Sequence, residues 1–414
     1  MSPTPRVAVV IAVLALSALV APWPAVALAT LALAVATATD LRFVRRPPLV
    51  NRLLPTVVAR GAAATLQVAA DAPSAGAVRI RQAVPPELAL APSEGGGRLE
   101  GTLVGRRRGR HRVEPAAVRA VGPLGLGAWH HDGGETAEVL VYPDLPGARR
   151  IATSVRRGRF REEGRRRGPI GIGTEFESVR DYLPDDDVRV VNWRATARLG
   201  RPMSNQYRVE RDRDVICLVD CGRLMAAPLG DETRLDVTLD AAVAVAAVAD
   251  ELGDRSGAIA FDDDVRRSLR PRRRGARAIV RALFDVEPRH VDSDYELAFA
   301  SVGEAKRAFV LVLTDLLEES AARPLLDGLP VLARRHSVAI ASVADTDLEE
   351  AIRREPTRPL DVYRAAVALD VLAARTRVAR LLRAGGAEVV EATPRALPAA
   401  CVRSYLRAKA RLAL

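Results

Sequence analysis

The hydrophobic and polar positions of this chain follow different patterns in different segments, and the first segment is almost wholly apolar. Residues 7–39 carry no charge, and Pro-Trp-Pro at positions 22–24 interrupts the apolar run at its middle. A single helix over this run would be about 50 Å long, whereas the hydrocarbon core of a bilayer is about 30 Å thick. The pattern therefore predicts a two-helix transmembrane hairpin within residues 1–46.

Arginines flank the apolar segment on both sides. Arg6 precedes it, and three more arginines follow it, namely Arg42, Arg45 and Arg46. Basic residues favour the cytoplasmic side of a membrane. We therefore expect a two-pass protein of the inner (cytoplasmic) membrane whose soluble domains lie in the cytoplasm. A signal peptide cleaved near residues 25–29 is the alternative, but it leaves the second apolar stretch without a purpose.

The next segment, from residue 51 to residue 150, has short stretches of alternating apolar and polar residues that glycine and proline separate. Closely spaced strands with turn signals between them predict a β-sandwich domain. The segment has no catalytic grouping of residues. His130 and His131 are adjacent, so on a strand they would point to opposite faces. We assign these two histidines to surface or packing roles rather than to a ligand site.

After residue 213 the pattern changes to nearly continuous apolar strands that alternate with helical stretches. Examples are the sequences DVICLVD at 214–220 and AFVLVLTD at 308–315. Such strands are typical of a parallel sheet that helices cover on both faces. We therefore expect a doubly wound α/β domain over residues 213–398, with a basic amphipathic helix at 399–414 packed on it.

Four of the predicted strands end in aspartate. These residues are Asp220, the cluster Asp262 to Asp264, Asp315 and Asp345. The carboxyl ends of parallel strands form one rim, where ligands of such domains bind. The four positions are therefore candidates for a shared cation site or partner site. The alternative is that each aspartate starts a turn or caps a helix.

Arginine dominates the charged residues. The net charge is +11, and Lys306 and Lys409 are the only lysines. Arginine-rich runs lie at 151–173, within a connecting segment over residues 151–212, and at 266–277. We interpret the first run as a solvated linker, with contact with anionic lipid headgroups and nucleic-acid binding as alternatives. Nucleic acid is the least favoured of these partners because few aromatic residues interleave with the arginines.

The segment at 173–220 has a dense pattern of glycine, aromatic and charged residues. These are Gly173, Glu175, Phe176, Arg180, Tyr182, Asp185 to Asp187, Arg189, Trp193, Ala197 and Arg198. At these positions it resembles the signature of the bacterial family called domain of unknown function 58. The segment at 105–127 and the apolar start are also similar to this family, so the resemblance extends over essentially the whole chain. It implies that the α/β domain is von Willebrand factor A-like. It also implies MoxR-type AAA+ ATPases and transglutaminase-like membrane proteins as partners.

The residues of this signature, taken by themselves, favour a structural or interaction role. They carry charges of both signs at short spacing, and Trp193 is a large apolar anchor that needs one hydrogen bond. We expect an ion-pair network that fastens the β-domain to the α/β domain, with a partner-docking surface as the alternative. A catalytic site is not favoured because the stretch lacks a nucleophile and base pair built on His or Cys. The residues assigned to this role are Glu175, Phe176, Arg180, Tyr182, Asp187, Arg189, Trp193 and Arg198.

The resemblance also implies a degenerate metal site. Von Willebrand factor A-like domains can hold Mg²⁺ in a loop of the form Asp-x-Ser-x-Ser, with a Thr and an Asp from later loops. Asp220 matches the first Asp, whereas Gly222 and Leu224 replace both serines. Ser293 and Asp315 stand where the later ligands would be. The loss of two hydroxyls leaves weak Mg²⁺ binding, a relic site used as a contact surface, or an aspartate with only capping duty.

The sequence favours an interaction protein over an enzyme. It contains no phosphate-binding loop, zinc-protease motif, serine-hydrolase motif or dinucleotide fingerprint. Cys217 and Cys221 have no companion pair for zinc, and with Cys401 they do not form a disulfide framework. We expect a membrane-anchored adaptor whose von Willebrand factor A-like domain docks with a MoxR-type AAA+ ATPase or its client. The alternative is a divalent-ion-dependent enzyme that uses the aspartate-rich rim.

Overall fold

The computed structural model describes residues 2–158, 175–183, 186, 188, 191–208, 213–303, 307–315 and 319–411. The chain divides into two compact units, Met1–Tyr142 and Pro143–Leu414. Each unit has an apolar core of its own.

The first unit begins with a short strand and two apolar helices, which are β1 (Ser2–Pro3), α1 (Pro5–Ser17) and α2 (Trp23–Val44). Both helices have a proline in their first turn, where the missing N–H has no helical partner to lose. Among the described residues, α2 is the one helix that is long and apolar enough to cross a membrane. The 13 residues of α1 span only about 20 Å. Of the two spans expected from the sequence, the structure thus has one of sufficient length.

The rest of this unit is β-structure. Its strands are β2 (Leu49–Leu53), β3 (Val57–Ala59), β4 (Ala63–Asp71), β5 (Ala77–Arg81), β6 (Leu88–Ala91), β7 (Glu94–Gly95), β8 (Arg98–Gly105), β9 (Gly109–Val113), β10 (Ala116–Val121), β11 (Gly127–Gly133) and β12 (Ala137–Tyr142). They form sheets with the orders β2-β4-β8-β6, β1-β11-β10-β5-β7 and β3-β12-β9. Alternate residues of β4 and β8, such as Leu66, Val68 and Leu103, are buried in one core.

The N-terminal end of the two helices is hydrogen-bonded to the turn at 122–127, which joins β10 to β11. Ser2 and Pro3 pair with the start of β11. Thr4 N donates to Leu126 O at 2.9 Å, and Thr4 Oγ1 donates to Gly125 O at 2.6 Å. The first residues of the chain are therefore part of the β-domain's own sheet.

The far end of α2 is bonded to the same turn through Asp40, whose side chain is fully buried. The carboxylate accepts hydrogen bonds at 2.7–2.8 Å from the backbone N–H groups of Leu124, Leu126 and Gly127. A Cβ at Gly122 would lie 2.2 Å from this carboxylate, so only glycine fits there. Both ends of the helical segment thus meet at one turn of the β-domain.

The second unit combines helices with a larger sheet. Its elements are α3 (Leu145–Arg156), β13 (Glu175–Asp181), α4 (Trp193–Leu199), β14 (Met203–Arg208), β15 (Asp214–Asp220), β16 (Pro228–Leu229), β17 (Glu232–Thr233), α5 (Arg234–Leu252), β18 (Arg255–Phe261), β19 (Val265–Arg273), α6 (Ala276–Leu283), α7 (Tyr295–Ser301), β20 (Phe309–Leu313), α8 (Glu319–Arg335), β21 (Ser337–Val343), α9 (Thr346–Arg353), α10 (Pro359–Ala384), β22 (Glu388–Ala392) and α11 (Leu397–Arg411).

The large sheet has six strands in the order β19-β18-β15-β20-β21-β22. All neighbours are parallel except the edge strand β19, which is antiparallel to β18. Helices α7, α8 and α10 pack on one face, and α5 and α11 pack on the other. Burial of both faces explains why the central strands are nearly continuous apolar runs. The expected α/β architecture with a covered, mostly parallel sheet is therefore observed.

The C-terminal helix α11 is held on the sheet by a buried polar contact. Lys409 Nζ donates to Asp254 Oδ2 at 2.5 Å, and the hydroxyl of Tyr405 donates to the same oxygen. A buried charge needs such a partner because removing it from water is costly. Among the basic residues of this helix, Lys409 therefore has a structural role.

Candidate functional site

The carboxyl ends of the parallel strands carry the aspartates that the sequence indicates, and the central one is Asp220 at the end of β15. Its side chain is nearly inaccessible to solvent at 2% exposure. Oδ1 accepts hydrogen bonds from Gly222 N at 2.8 Å and from the hydroxyl of Ser293. Oδ2 accepts from Tyr295 OH at 2.9 Å and from Thr314 Oγ1 at 2.6 Å. One carboxylate therefore joins three loops of the rim.

Gly222 makes the contact with Ser293 possible. A Cβ built on Gly222 would stand 2.2 Å from Ser293 Oγ and 2.9 Å from Val291 O. The place that a serine side chain would take two residues after the aspartate is thus filled by a hydroxyl from a distant loop. Ser293 thus donates its hydroxyl to Asp220 from a position that a side chain at residue 222 would block.

The loop that supplies Ser293 is bound along its length to the residues after β15. Arg289 N donates to Cys221 O at 2.8 Å, and Arg223 N donates to Val291 O at 2.9 Å. At the surface, Arg223 Nε donates to Asp292 Oδ1 at 2.5 Å. The two loops therefore form one fixed patch, which is called the rim platform below and comprises residues 221–223 and 289–293.

Tyr295 and Thr314 complete the surroundings of Asp220. Their hydroxyl oxygens are 2.7 Å apart, and the Tyr295 ring packs edge-on against Phe261. Burial, together with the negative charge of Asp220, raises the pKa of Tyr295 well above its usual value. Burial also raises the pKa of Asp220, while its hydrogen bonds oppose that shift. The tyrosine is therefore a neutral hydrogen-bond donor and not a base.

Asp315 belongs to a separate buried network. Its Oδ1 accepts from Arg234 Nη1 and from Arg375 Nη2, each at 3.1 Å, and from Ser342 Oγ at 3.2 Å. Arg234 also donates to Asp345 Oδ2 at 2.8 Å. The structure thus brings Asp220 and Ser293 together, whereas two guanidinium groups neutralise Asp315. The residue that bonds Asp220 at the end of β20 is Thr314, which directly follows this strand.

The donor set around Asp220 does not fit a tight Mg²⁺ site. Mg²⁺ takes about six oxygen ligands in octahedral geometry, but both oxygens of Asp220 already accept hydrogen bonds from the protein. Within the described ranges, no three His, Cys, Asp or Glu side chains form a group that could hold a metal ion. Weak Mg²⁺ binding by Asp220, Ser293 and Asp315 stays a prediction.

Asp262, the first aspartate of the cluster after β18, is also paired within the protein. Arg266 Nη1 donates to its Oδ2 at 2.8 Å, and Arg289 Nε lies 3.8 Å from the same oxygen. Its backbone oxygen accepts from Asp294 N at 2.8 Å. The carboxylates of Asp220, Asp262 and Asp315 thus accept hydrogen bonds from arginines, hydroxyls or backbone groups of the chain itself.

The signature segment forms a hairpin in which β13 pairs antiparallel with β14. Arg180 Nη2 lies 2.6 Å from Asp186 Oδ1, and this hydrogen bond lowers the pKa of Asp186. Tyr182 OH donates to Asp186 O at 3.0 Å. These contacts lie inside the hairpin, and the ion-pair network expected between the domains stays a prediction.

Of the other residues assigned to the signature, the structure describes the side chains of Trp193 and Arg198. Trp193 begins α4 and is 69% exposed, so it is not a buried anchor there, and Arg198 on the same helix is exposed. Asp187 and Arg189 lie outside the described residues, as do the side chains of Glu175 and Phe176. The exposed Trp193 fits the docking alternative better than the anchoring one.

The cysteines offer no reactive thiolate. All three are buried. Burial raises the pKa of Cys217 to about 12, and it raises the pKa of Cys401 as well. A thiol attacks substrates as the thiolate. Cys217 and Cys401 therefore act as small apolar residues of the core.

Sequence reasoning found Asp220 and Ser293 but missed four residues of the rim, namely Arg234, Tyr295, Thr314 and Arg375. Two of them lie close to residues that were singled out. Thr314 directly precedes Asp315, and Tyr295 follows Ser293 by two positions. A polar residue at the end of an apolar strand was the available signal for Thr314. No pattern distinguishes the buried arginines from the many exposed ones.

Comparison with known proteins gives relatives of modest similarity. The uncharacterized protein Mb1516 of Mycobacterium bovis and the uncharacterized protein Rv1480 of Mycobacterium tuberculosis are each 29% identical over 249 residues. The alignment covers 53% of this chain and 74% of each relative. Among solved structures, the PKD domain of an M14-like peptidase from Thermoplasmatales archaeon SCGC AB-540-F20 matches with 17% identity and a TM-score of 0.17. It covers 23% of this chain and 96% of that one.

A family model also matches this chain, and the matched segment contains the site described above. The matched residues run from β13 to the end of α9 and include the rim platform, Asp220 and Asp315. This agrees with the resemblance that the segment at 173–220 carries. Residues 178–353 of this chain match the family described as protein of unknown function DUF58.

Proposed function

We propose that this chain is a membrane-anchored interaction protein of the DUF58 family whose α/β domain docks a protein partner at the rim platform. The observation that carries the proposal is the carboxylate of Asp220, which is buried and accepts four hydrogen bonds from three loops. A catalytic carboxylate needs a free oxygen within reach of the substrate. A carboxylate that fixes three loops instead gives a rigid surface, which lowers the entropy cost of binding.

The arrangement of the large sheet supports a von Willebrand factor A-like domain within this proposal. Five parallel strands and one antiparallel edge strand have the order β19-β18-β15-β20-β21-β22. In order of appearance this is 3-2-1-4-5-6, so the order reverses at β15, and ligands of such sheets bind at that point. Asp220 and the rim platform lie at the end of β15. The proposed docking surface is thus where this class of domain binds its ligands.

The partner proposed from the family resemblance is a MoxR-type AAA+ ATPase, with a transglutaminase-like membrane protein as a further component. The rim platform exposes the charged side chains of Arg223 and Asp292. Charges at the edge of an interface steer association and select partners. The proposal therefore assigns recognition to the surface of the platform and rigidity to the buried hydrogen bonds beneath it.

The membrane part of the proposal is a two-pass hairpin with both ends on the cytoplasmic side. Its support is that the N-terminal end at Thr4 and the distal end at Asp40 are both bonded to the turn at 122–127. Cleavage of a signal peptide near residues 25–29 would remove Thr4 and β1 from the sheet they belong to. The flanking arginines then favour the cytoplasmic side for the β-domain.

The test is a pull-down from native membranes with the tagged full-length protein in Mg²⁺ and ATP, with bound proteins identified by mass spectrometry. The wild type should recover an AAA+ ATPase. Arg223→Glu changes the charge of the rim platform and should reduce this recovery severalfold. Arg98→Glu makes the same charge change on an exposed position of β8 and should leave recovery unchanged.

Two results would contradict the proposal. If the wild type recovers no AAA+ ATPase, the partner is wrong. If Arg223→Glu recovers as much ATPase as Arg98→Glu, the rim platform is not the docking surface. The alternative enzyme that uses a divalent ion would require Asp315 to leave Arg234 and Arg375 and become a ligand. Calorimetric titration of Mg²⁺ into the wild type and into Asp220→Asn tests this alternative, because the enzyme requires ion binding that the substitution abolishes whereas docking does not, and its absence in the wild type would exclude the enzyme.

A further inference from the structure

Two neighbouring loops of the β-domain, one of which bonds α2, contain no charged residue. Their sequences are Ala-Pro-Ser-Ala-Gly-Ala at 72–77 and Gly-Pro-Leu-Gly-Leu-Gly at 122–127. They are adjacent, because Gly76 N donates to Val121 O at 2.9 Å and a Cβ on Gly76 would lie 2.9 Å from Gly122 O. In a chain with 27% charged residues, several charges would be expected in two such loops. These two loops are called the end face below.

An apolar side chain projects from the end face while its backbone is fixed. Leu124 is 56% exposed, yet its N–H donates to Asp40 Oδ1 at 2.8 Å. Phe43, one turn after Asp40 on α2, is 55% exposed. Contiguous exposed apolar surface marks an interaction site. Because Leu124 N is bonded to Asp40, the exposed Leu124 side chain lies beside the C-terminal part of α2, whose Phe43 is also exposed.

The length of α2 sets the depth of this surface. From Trp23 to Asp40 the helix rises about 26 Å, which is less than the roughly 30 Å of a hydrocarbon core. If Trp23 lies near the far boundary of the bilayer, Asp40 reaches only the near boundary. The turn at 122–127 is hydrogen-bonded to Asp40 and must lie at the same level. The geometry therefore brings the end face to the membrane.

Positive charges surround the end face without lying on it. Arg6 is exposed, and its Nη1 lies 2.5 Å from the Cβ position of Gly125. Arg42 and Arg45 are exposed on the last turn of α2 and just after it. Arginine side chains can bury their stems while the guanidinium reaches phosphate. Each basic residue near an anionic membrane contributes about 1 kcal/mol, so the arrangement matches anionic headgroups.

We propose that the end face is a lipid-binding surface that inserts into the interfacial region of an anionic phospholipid bilayer, with Leu124 at the acyl boundary and Arg6, Arg42 and Arg45 on the headgroups. This inference rests on the proposed membrane anchoring and deepens it. The β-domain then contacts the bilayer directly and is not held away from it by a linker.

The test uses the full-length protein in vesicles of phosphatidylcholine, with or without an equal amount of phosphatidylglycerol. Leu124→Cys is labelled with an environment-sensitive fluorophore, which is feasible because the native cysteines are buried. Leu31→Cys on α2 reports the anchor. Glu135→Cys, at the opposite end of β11, is the matched control on the same domain. A quencher attached to the lipid at interfacial depth then measures contact with the bilayer.

The expected result is that the probes at positions 31 and 124 show blue-shifted emission and lipid quenching, whereas the probe at 135 shows neither. If position 124 behaves like 135 while 31 is in lipid, the end-face proposal is wrong and the anchor stands. If position 31 is also in water, the proposed anchoring itself is wrong. If position 124 is shielded but not quenched by lipid, a protein covers the end face and the inference is overturned.

The charge requirement is tested with Arg6→Gln combined with Arg42→Gln. In phosphatidylglycerol vesicles, quenching of the probe at position 124 should exceed that in phosphatidylcholine alone, and added salt should reduce the excess. The double variant should lose this excess while keeping the quenching at position 31. An excess that persists in the double variant would contradict the assignment of these arginines to headgroups.

Discussion

The hydroxyl of Ser293 occupies the space that a side chain at Gly222 would need, with only 2.2 Å between Ser293 Oγ and the position of such a Cβ. The two residues are 71 positions apart in the sequence, yet they form a single unit around Asp220. Because the backbone of Cys221 and Arg223 is bonded to the same loop, neither side of this contact can shift freely.

Gly222→Ala should therefore destabilise the α/β domain by about 1–3 kcal/mol, which is the usual cost of forcing extra atoms into a packed site. The measurement is hydrogen exchange of peptides from β15 and from residues 289–293, where faster exchange is expected. Adding Ser293→Ala should recover part of the loss, since it removes the atom that clashes. A double variant that exchanges as fast as the sum of both single variants would show that the two residues are not coupled.

Thr314→Val removes the hydroxyl that donates to Asp220 Oδ2 at 2.6 Å and keeps the shape of the side chain. Hydrogen bonds to charged groups contribute about 1.5–3 kcal/mol, so β15 and β20 should open more readily in hydrogen exchange. Thr376→Val is the matched control, because Thr376 is exposed and bonds only its own helix at Leu372 O. Equal exchange in both variants would contradict a role for Thr314 in fixing Asp220.

The raised pKa of Asp220 predicts a pH dependence with a definite sign. Burial is the main cause of the shift, so the folded protein holds this proton at pH values where the unfolded chain has released it. The free energy of unfolding then falls as pH rises through the raised pKa. The stability that this proton contributes is fully present only when the pH is below the ordinary pKa of aspartate, about 3.9.

Asp220→Asn cannot titrate and isolates this contribution. Relative to the variant, the unfolding temperature of the wild type in detergent should fall between acidic and neutral pH. A difference that stays constant over this range, or that grows in favour of the wild type as pH rises, would show that the pKa of Asp220 is not raised in the folded protein. The two proteins are compared by how the difference between their unfolding temperatures changes with pH, because the amide of Asp220→Asn alters the hydrogen bonds of the site at every pH.

Asp40→Ala should loosen the turn at 122–127. The substitution leaves three backbone N–H groups without their acceptor, and each buried, unsatisfied donor costs about 1–3 kcal/mol. Limited proteolysis should then cut near Leu124 in the variant before it cuts the wild type. Asp71→Ala, at an exposed position on β4, is the control. Unchanged cleavage near Leu124 would mean that the carboxylate is not what holds the turn.

The parts of the fold that the sequence predicted well are those in which burial alone sets the pattern. β15 and β20 lie inside a sheet covered on both faces, so each is a nearly unbroken apolar run. The attachment of β1 and Thr4 to the β-domain was not predicted, although both precede the apolar run. It depends on pairing with β11 and on a hydrogen bond to Gly125, and no local pattern encodes these contacts.

The residues of the candidate site also fall into those that could be predicted from the sequence and those that could not. Asp220 ends a strand, and Ser293 is the hydroxyl that a family pattern asks for, so both could be predicted. Arg234 and Arg375 could not, since their burial depends on meeting Asp315 from two different helices. Trp193 was expected to be an anchor because large aromatic residues are usually buried, and its exposure is decided by how the signature hairpin folds.

The attachment of Thr4 and Asp40 to one turn has a consequence for biogenesis. A ribosome makes the apolar helices first, and the residues that bond Asp40, from Leu124 to Gly127, are added 84 to 87 residues later. Because β11 is made long after β1, β1 cannot pair with it until the helices and most of the β-domain have been synthesised. The contact between the first strand of the chain and the β-domain therefore forms late in synthesis.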